Sequence, residues 1–391
     1  MSKKVLVSGI QATGALHFGN YFGAMKQNID LANTGEYQPY IFIADYHALT
    51  TVKDKDALSR SAHEIAASYI ACGLDISKAA LFRQSSVPEH TELTWVFNNV
   101  VTMPYLMRAH AFKDKQFKEL QESLRTHPSS REMNKFISDY KHDVEALTVL
   151  WVSPGLVEEL KQKYSLTESL LKDCVSMIFN INSFTSSVNV GLLDYPVLMA
   201  ADILMYQADV VPVGADQKQH VEYARDIAGF YNRAWNVEQF KLRKEMILES
   251  VATVPGIDGA KMSKSKGNVI SLFGTDEEVK KAVMGIVTDS ARPEDVKHAD
   301  ENTIFNIHKH FLDEVGVDAL RAKFEQGGYG YKEAKEELLG TIMKWREGKK
   351  EVFDDLMAHP EKIQSILKQG GEIARMRAQE TMKEVRGQVG F

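Results

Sequence analysis

The chain has 391 residues, of which 44% are hydrophobic and 26% charged, with 47 Lys and Arg against 53 Asp and Glu for a net charge of −6. Such a balance is that of an ordinary globular chain long enough for two domains, and it advertises no global affinity for nucleic acid. No uninterrupted apolar run approaches the ~20 residues that span a bilayer, Lys3-Lys4 before three apolar residues is too short for a signal peptide, and Cys72 and Cys174 lack CxxC spacing, which leaves no zinc site or disulfide framework and makes a reducing cytosol the simplest setting.

Val5-Leu6-Val7 is a short buried-strand signal, broken by Gly9 and Gly14. His17, Gly19 and Asn20 then open a segment with apolar residues at helical spacing: Leu16, Phe18, Tyr21, Phe22 and Met25. Strand, glycine turn and helix start in that order let backbone approach a phosphate. The glycines follow neither the dinucleotide nor the P-loop fingerprint. The turn offers two side-chain donors, His17 and Asn20, or it is an ordinary turn with a polar helix start.

Residues 38–45 are an apolar run ending in Asp45-Tyr46-His47. Helical periodicity follows over 55–71 through Leu58, Ala62, Ile65, Ala66, Tyr69 and Ile70, and stops at Gly73. Residues 79–83 read as another buried strand, and Pro88 starts a helix through Leu93, Val96, Phe97 and Val100. This alternation predicts a doubly wound parallel sheet, whose ligands sit at the carboxyl ends of the strands. His47 lies at such an end, as a ligand or as a core histidine.

Residues 113–187 are rich in charge and helical signals, and read as a helical insertion. In residues 195–220, Pro196 suits the first position of a helix with Leu198, Ala201, Leu204 and Met205 as its apolar stripe. Asp202 stands at the edge of that stripe, where a carboxylate is costly unless something donates to it. Asp209 to Val213 reads as a buried strand, and Gly214 to His220 as a third strand-to-helix turn capped by Asp216. Residues 254–268 form a loop without apolar periodicity that carries Lys261, Lys264 and Lys266: either a solvated basic loop or a mobile one suited to phosphate charge. From Thr275 the chain is helical and polar over 275–287, 300–312, 315–325, 331–355 and 360–388, punctuated by Gly327-Gly328 and Gly370-Gly371, and reads as an all-helical domain.

Together these segments resemble the class I aminoacyl-tRNA synthetases. His17-Phe18-Gly19-Asn20 looks like their HIGH motif, and Lys261-Met262-Ser263-Lys264-Ser265 matches KMSKS letter for letter. The finer resemblance is to the bacterial tryptophanyl-tRNA synthetases, carried by SGIQATGALHFGNYFGAM, IADYHALT, VPEHTEL, FKDK, YPVLMAADILMYQADVVPVGADQKQHVEYARDIA, KMSKSKGN, VTDS and ARMRAQETMKEVR. It covers nearly everything except about 116–186. The sequence departs from the short bacterial form in that insertion, in Met103-Pro104-Tyr105-Leu106 before FKDK, and in Pro255 to Gly259 before KMSKS.

The resemblance implies a Rossmann-type α/β catalytic domain over 1–115 and 187–274, a helical insertion at 116–186, and a helical, anticodon-binding region over 275–391. It implies ATP, tryptophan and tRNA(Trp) as substrates, Mg²⁺ held mainly by ATP, a homodimer, and a cytoplasmic setting. Catalysis would fall to His17, Asn20, Lys261 and Lys264. ATP would also meet Gln11, Ala12, Thr13, Gly19, Gly214, Ala215, Asp216, Gln217, Ala252, Met262, Ser263 and Ser265. Tryptophan would meet Gln11, His47, Met199, Asp202, Val211, Val213 and Gln217, with Asp202 accepting the indole N–H; Gly9 would admit backbone to the ligand. The rivals are a tyrosyl relative and a tryptophan-binding paralogue that does not aminoacylate.

Overall fold

A computed structural model describes residues 3–12, 14–108, 189–212, 218–241 and 254–391. The expected insertion at 116–186, together with Thr13, Val213, Gly214, Ala215, Asp216, Gln217 and Ala252, lies outside the described residues.

Three parallel strands carry the fold: β1 (Lys4–Gln11), β2 (Tyr37–Ala44) and β3 (Ala80–Arg83), in the order β1-β2-β3. Lys4 pairs with Tyr37 and Gln11 with Ala44, while Tyr40 pairs with Ala80. On the other side of β1, Val7 N–H donates to Val210 O (3.0 Å) and Val210 N–H to Val5 O (3.0 Å). The segment expected as a strand over 209–213 thus contributes a parallel bridge at Leu6–Val210 rather than a strand among its described residues. The chain leaves β1 toward β2 on one side and returns beside it much later on the other. That is a topological switch point, where such sheets open a crevice.

After β1, one helical turn (Phe18–Asn20) and a π-helical turn (Tyr21–Met25) lead into α1 (Lys26–Asn33). A short α2 (Asp45–Ala48) follows β2 directly. In α3 (Lys55–Ala71), Asp54 accepts from Ala57 N–H at the start, Ala62, Ile65, Ala66 and Tyr69 face the core, and Gly73 (φ +98°) ends the run. α4 (Glu89–Asn98) follows β3.

α5 (Val190–Leu204) starts earlier than expected. Asn189 caps it by accepting from Leu192 N–H (3.0 Å), so Pro196 lies inside the helix and not at its first position. Proline there removes one helical hydrogen bond, and the helix persists because Pro196, Val197, Ala200, Ala201 and Leu204 are buried against the rest of the fold. α6 (Lys218–Trp235) packs on it.

Beyond residue 254 the α-helices are α7 (Asp276–Met284), α8 (Thr303–His308), α9 (Glu314–Glu325), α10 (Tyr331–Arg346), α11 (Lys349–Ala358) and α12 (Pro360–Val389). The single helix expected over 331–355 is two, divided at Gly348, whose φ of +72° is ill suited to a side chain. Gly370-Gly371 does not punctuate α12 but lies within it. A Cβ on Gly370 would fall 2.0 Å from Leu81 O, so glycine lets the helix backbone lie directly on β3. Ala374, Ala378, Met382 and Val385 continue that buried face into the core shared with β2, β3, α4 and α5. The helical C-terminal region therefore returns to the sheet at its end. No helix among the described residues is long and apolar enough to cross a membrane.

Candidate active site

The three strands end on one edge of the sheet, and each end supplies polar groups. Gln11 ends β1 and donates through Nε2 to His47 O (3.2 Å). Asp45, just past β2, is buried and accepts from Ser85 N–H (2.9 Å) and Ser85 Oγ (2.5 Å) just past β3. These bonds set the spacing of the strand ends. Gly9 is exposed on β1, and a Cβ there would meet the Phe42 ring at 2.4 Å, so packing against β2 already requires glycine at this position.

Asp202 is the most constrained group on this edge. It is fully buried, not at the rim of a surface helix. Its Oδ2 accepts from His47 Nε2 (2.9 Å), its Oδ1 from His90 Nδ1 (2.5 Å), and Gln84 Nε2 donates to both (2.7 and 2.8 Å). Burial alone would push this carboxyl up, but His90 and His47 outweigh it and hold it at about 2. Asp202 is thus an ionised acceptor in an apolar surround. Of its three partners only His47 reaches the open side, with 12% of its side chain exposed against none for Asp202. A cavity of about 310 Å³ opens there, lined by His47, Trp95, Tyr195 and Leu198 among others, and the Tyr195 ring stands edge-on to His47. Met199 is half-buried and Val211 buried, both in the apolar cluster that includes the buried face of α5.

The sequence reading missed Gln84 and His90. Gln84 follows an unremarkable strand, and His90 stands in VPEHTEL without a partner nearby in sequence. Only the packing of α4 against α5 brings it to Asp202.

The first turn and the lysine loop meet although more than 240 residues separate them. Phe18 N–H donates to Ile270 O (3.1 Å) and Leu272 N–H to Leu16 O (3.0 Å), a short antiparallel bridge centred on His17 and Ser271. Gly19 N–H donates to Met262 Sδ (3.3 Å), and a Cβ on Gly19 would meet Met262 Cβ at 3.2 Å. A Cβ on Gly14 would stand 3.5 Å from Lys264 Nζ. The structure therefore brings His17, Gly19, Asn20, Met262 and Lys264 together. Ala12 is buried just before this turn, and Lys261 is exposed.

Two expectations change at this junction. Asn20 Oδ1 accepts from His17 N–H (3.2 Å), closing the turn, so the donor it can offer a ligand is Nδ2. The loop 254–268 is organised rather than free of the core. Val254, Met262 and Asn268 are buried. Asn268 accepts from Ser263 N–H (2.7 Å) and donates to Asp258 Oδ1 (2.7 Å) and Lys261 O (3.2 Å), holding the first half of KMSKS. The loop then turns through a 3₁₀ segment, Lys264–Lys266, capped by Gly267 at φ +67°.

His17 is buried, and burial, aided by the charge of Lys264, lowers its imidazole to about 4. It is neutral at pH 7, able to donate from one ring nitrogen. Desolvation also lowers the Lys264 ammonium, opposed by Glu64 on α3, while the side chain still reaches solvent. The groups gathered at this turn are N–H donors and cations. They suit phosphate oxygens rather than a divalent cation.

The chain resembles known proteins over nearly its whole length. The profile of the tRNA synthetases class I (W and Y) matches residues 2–128 and 157–345. A tryptophan--tRNA ligase of Fusobacterium nucleatum is 39% identical over 98% of this chain and 97% of its own. One of Campylobacter jejuni is 35% identical over 99% of each. The crystal structure of tryptophanyl-tRNA synthetase from Campylobacter jejuni complexed with ADP and tryptophan superposes with a TM-score of 0.74 at 34% identity, covering 99% of this chain and 100% of that one. The segment 116–186 is thus shared in length with these relatives, and only 129–156 falls between the two blocks matched by the profile. With a switch-point crevice, a buried acceptor beside a cavity, and a lysine loop joined to a glycine turn all matched along its length, the chain belongs to the tRNA synthetases class I (W and Y), among the bacterial tryptophan--tRNA ligases.

Proposed function

We infer that the protein activates tryptophan with ATP and transfers it to tRNA(Trp). In the first step a tryptophan carboxylate oxygen attacks the α-phosphorus in line, and pyrophosphate leaves. In the second, a hydroxyl of the terminal adenosine attacks the activated carbonyl, and AMP leaves. Such chemistry needs positioned reactants and donors where charge develops, more than a covalent catalyst.

The observation that carries the site assignment is the junction of the first turn with KMSKS at the edge where Asp202 is buried. His17 and the Nδ2 of Asn20 would donate to ATP phosphates, with Gln11, Ala12, Thr13 and the backbone of Gly19 beside them. Lys261 and Lys264 would hold the leaving pyrophosphate, with Met262, Ser263 and Ser265 shaping the loop. Gly214, Ala215, Asp216, Gln217 and Ala252 would receive the nucleoside and the adenylate. Mg²⁺, arriving on the nucleotide, would screen the phosphates.

Asp202 would accept the indole N–H, in a pocket walled by His47, Met199, Val211 and Val213. All positions on Asp202 facing the cavity are taken by His47, so the indole N–H displaces or shares that bond. A site built around a buried acceptor disfavours analogues that cannot donate, by up to ~10⁴–10⁵. The helical region over 275–391 would carry tRNA contacts, and we place the protein in the cytoplasm as a homodimer.

Tryptophan- against tyrosine-dependent ATP–pyrophosphate exchange, followed by aminoacylation of total tRNA, tests this reading. Tryptophan-dependent exchange and charging of one tRNA species are expected. A tyrosine preference would overturn the pocket assignment, and tryptophan binding without exchange would favour the non-aminoacylating paralogue.

A further inference from the structure

Behind Asp202, on the side away from the cavity, lies a chain of buried hydrogen bonds that the adenylation chemistry does not use. His90 Nδ1 is 2.5 Å from Asp202 Oδ1, and His90 Nε2 is 2.7 Å from the Tyr206 hydroxyl. His90 and Tyr206 are both fully buried, and Tyr206 stacks on Tyr40 at 4.6 Å between ring centres. An ionised carboxylate only accepts, so His90 must donate from Nδ1. In the neutral form of the imidazole Nε2 then accepts, and the donor within reach is the Tyr206 O–H. Burial and the Asp202 charge push the Tyr206 hydroxyl well up, which keeps its proton in place.

We propose that Tyr206 and His90 are positioning residues for amino-acid selection: the Tyr206 hydroxyl fixes the orientation of the His90 ring, and His90 in turn holds Asp202 with Oδ2 turned toward His47 and the cavity. Gln84, bonded to both oxygens, fixes the plane of the carboxylate, while His90 fixes which oxygen is tied back. Neither His90 nor Tyr206 itself lines the cavity. Their effect is on orientation, so it reads out in how well a ligand N–H is recognised rather than in binding of ligands at large. Without the tyrosine hydroxyl, Nε2 is left a buried acceptor with no donor, so the ring shifts and Nδ1 no longer ties Oδ1 back. The carboxylate then turns out of the orientation that offers Oδ2 to a ligand N–H.

The inference rests on Asp202 receiving the indole N–H. The test is ATP–pyrophosphate exchange with tryptophan and with benzothienylalanine, in which sulfur replaces the N–H. The wild type is compared with Tyr206→Phe, His90→Asn and His90→Leu. The phenylalanine keeps the stack on Tyr40. The asparagine amide presents a donor where Nδ1 stood, and the leucine presents none. The wild-type preference for tryptophan, as a ratio of kcat/KM, should fall roughly tenfold in Tyr206→Phe and His90→Leu and be largely kept in His90→Asn, with KM for ATP unchanged. An unchanged ratio in Tyr206→Phe and His90→Leu would overturn the proposal. So would an equal fall of both substrates, or a His90→Asn that loses as much as His90→Leu, since each marks a merely structural role. Should Tyr206→Phe fail to fold, the two His90 variants decide. A wild type that does not distinguish the two substrates would instead overturn the assignment of Asp202 itself.

Discussion

At the residue scale, one carboxylate and one imidazole set the polarity of the site. Asp202 holds three donors in a place where an isolated charge would be costly, so its worth lies in being a ready acceptor. Asp202→Asn turns part of that acceptor into a donor facing His90 and Gln84. It should weaken tryptophan use by more than ~1 kcal/mol, read as a rise in KM or a fall in kcat for exchange. His17 has the opposite character: it is kept uncharged. Its imidazole sits at about 4 in the fold, against the usual 6.5 in an open chain. Between those values the unfolded chain binds the extra proton, so stability rises with pH across the window and falls as pH drops from 6.5 toward 4. His17→Gln should remove a contribution on the order of 3 kcal/mol to that slope, measured by denaturant unfolding at pH 4.5 to 7.5. The Asp202 contribution is lost only on approach to pH 2, outside this window.

At the scale of elements, the KMSKS loop and α12 each depend on one small feature. Asn268 bridges Ser263, Lys261 and Asp258, so the loop is set before nucleotide arrives. Asn268→Ala should leave KM for tryptophan nearly unchanged and slow adenylate formation roughly tenfold, visible in single-turnover kinetics. Gly370 sets α12 against the backbone of β3. Gly370→Ala improves helix propensity on an isolated helix, but here the added methyl would strike a carbonyl that cannot yield. We expect a loss of about 1–3 kcal/mol in equilibrium unfolding, the opposite sign to propensity alone. The clamps Arg375 to Glu89 (3.0 Å) and Arg386 to Glu92 (2.7 Å) tie the same helix to α4, next to His90.

At the scale of the whole molecule, β1 is the organising strand. It pairs with β2 on one side and bridges to Val210 on the other, and the switch-point crevice follows from that order. An aromatic cluster joins the first turn to the helical region: Phe18 lies 5.1 Å from both Phe311 and Trp345 between ring centres. The net charge of −6 means that any tRNA contact must come from local lysines and arginines. Affinity for tRNA should therefore fall as salt rises, with a slope on a log–log plot that reports the phosphates neutralised. Filter binding across a salt series measures it, and a flat line would remove tRNA from the substrates.

By itself the sequence determined the parallel βα order, the strands β1, β2 and β3, the periodicity and stop of α3, and the two motifs that mark the family. Those are local: they rest on apolar period, on the glycine that ends α3, and on runs of residues whose meaning does not depend on distant neighbours. Pro196 misled because a proline at a first helical turn and one buried in mid-helix look alike until packing is known. Gly370-Gly371 misled for a similar reason, since a break and a close approach demand the same residue. The sequence placed Asp202 at the edge of an apolar stripe and in need of a donor, but its two histidines and Gln84 came from elements that only meet in space. The junction of His17 with Ser271 and of Gly19 with Met262 was likewise a matter of tertiary structure, because backbone pairing across so long a loop leaves no periodic trace in the residues that make it.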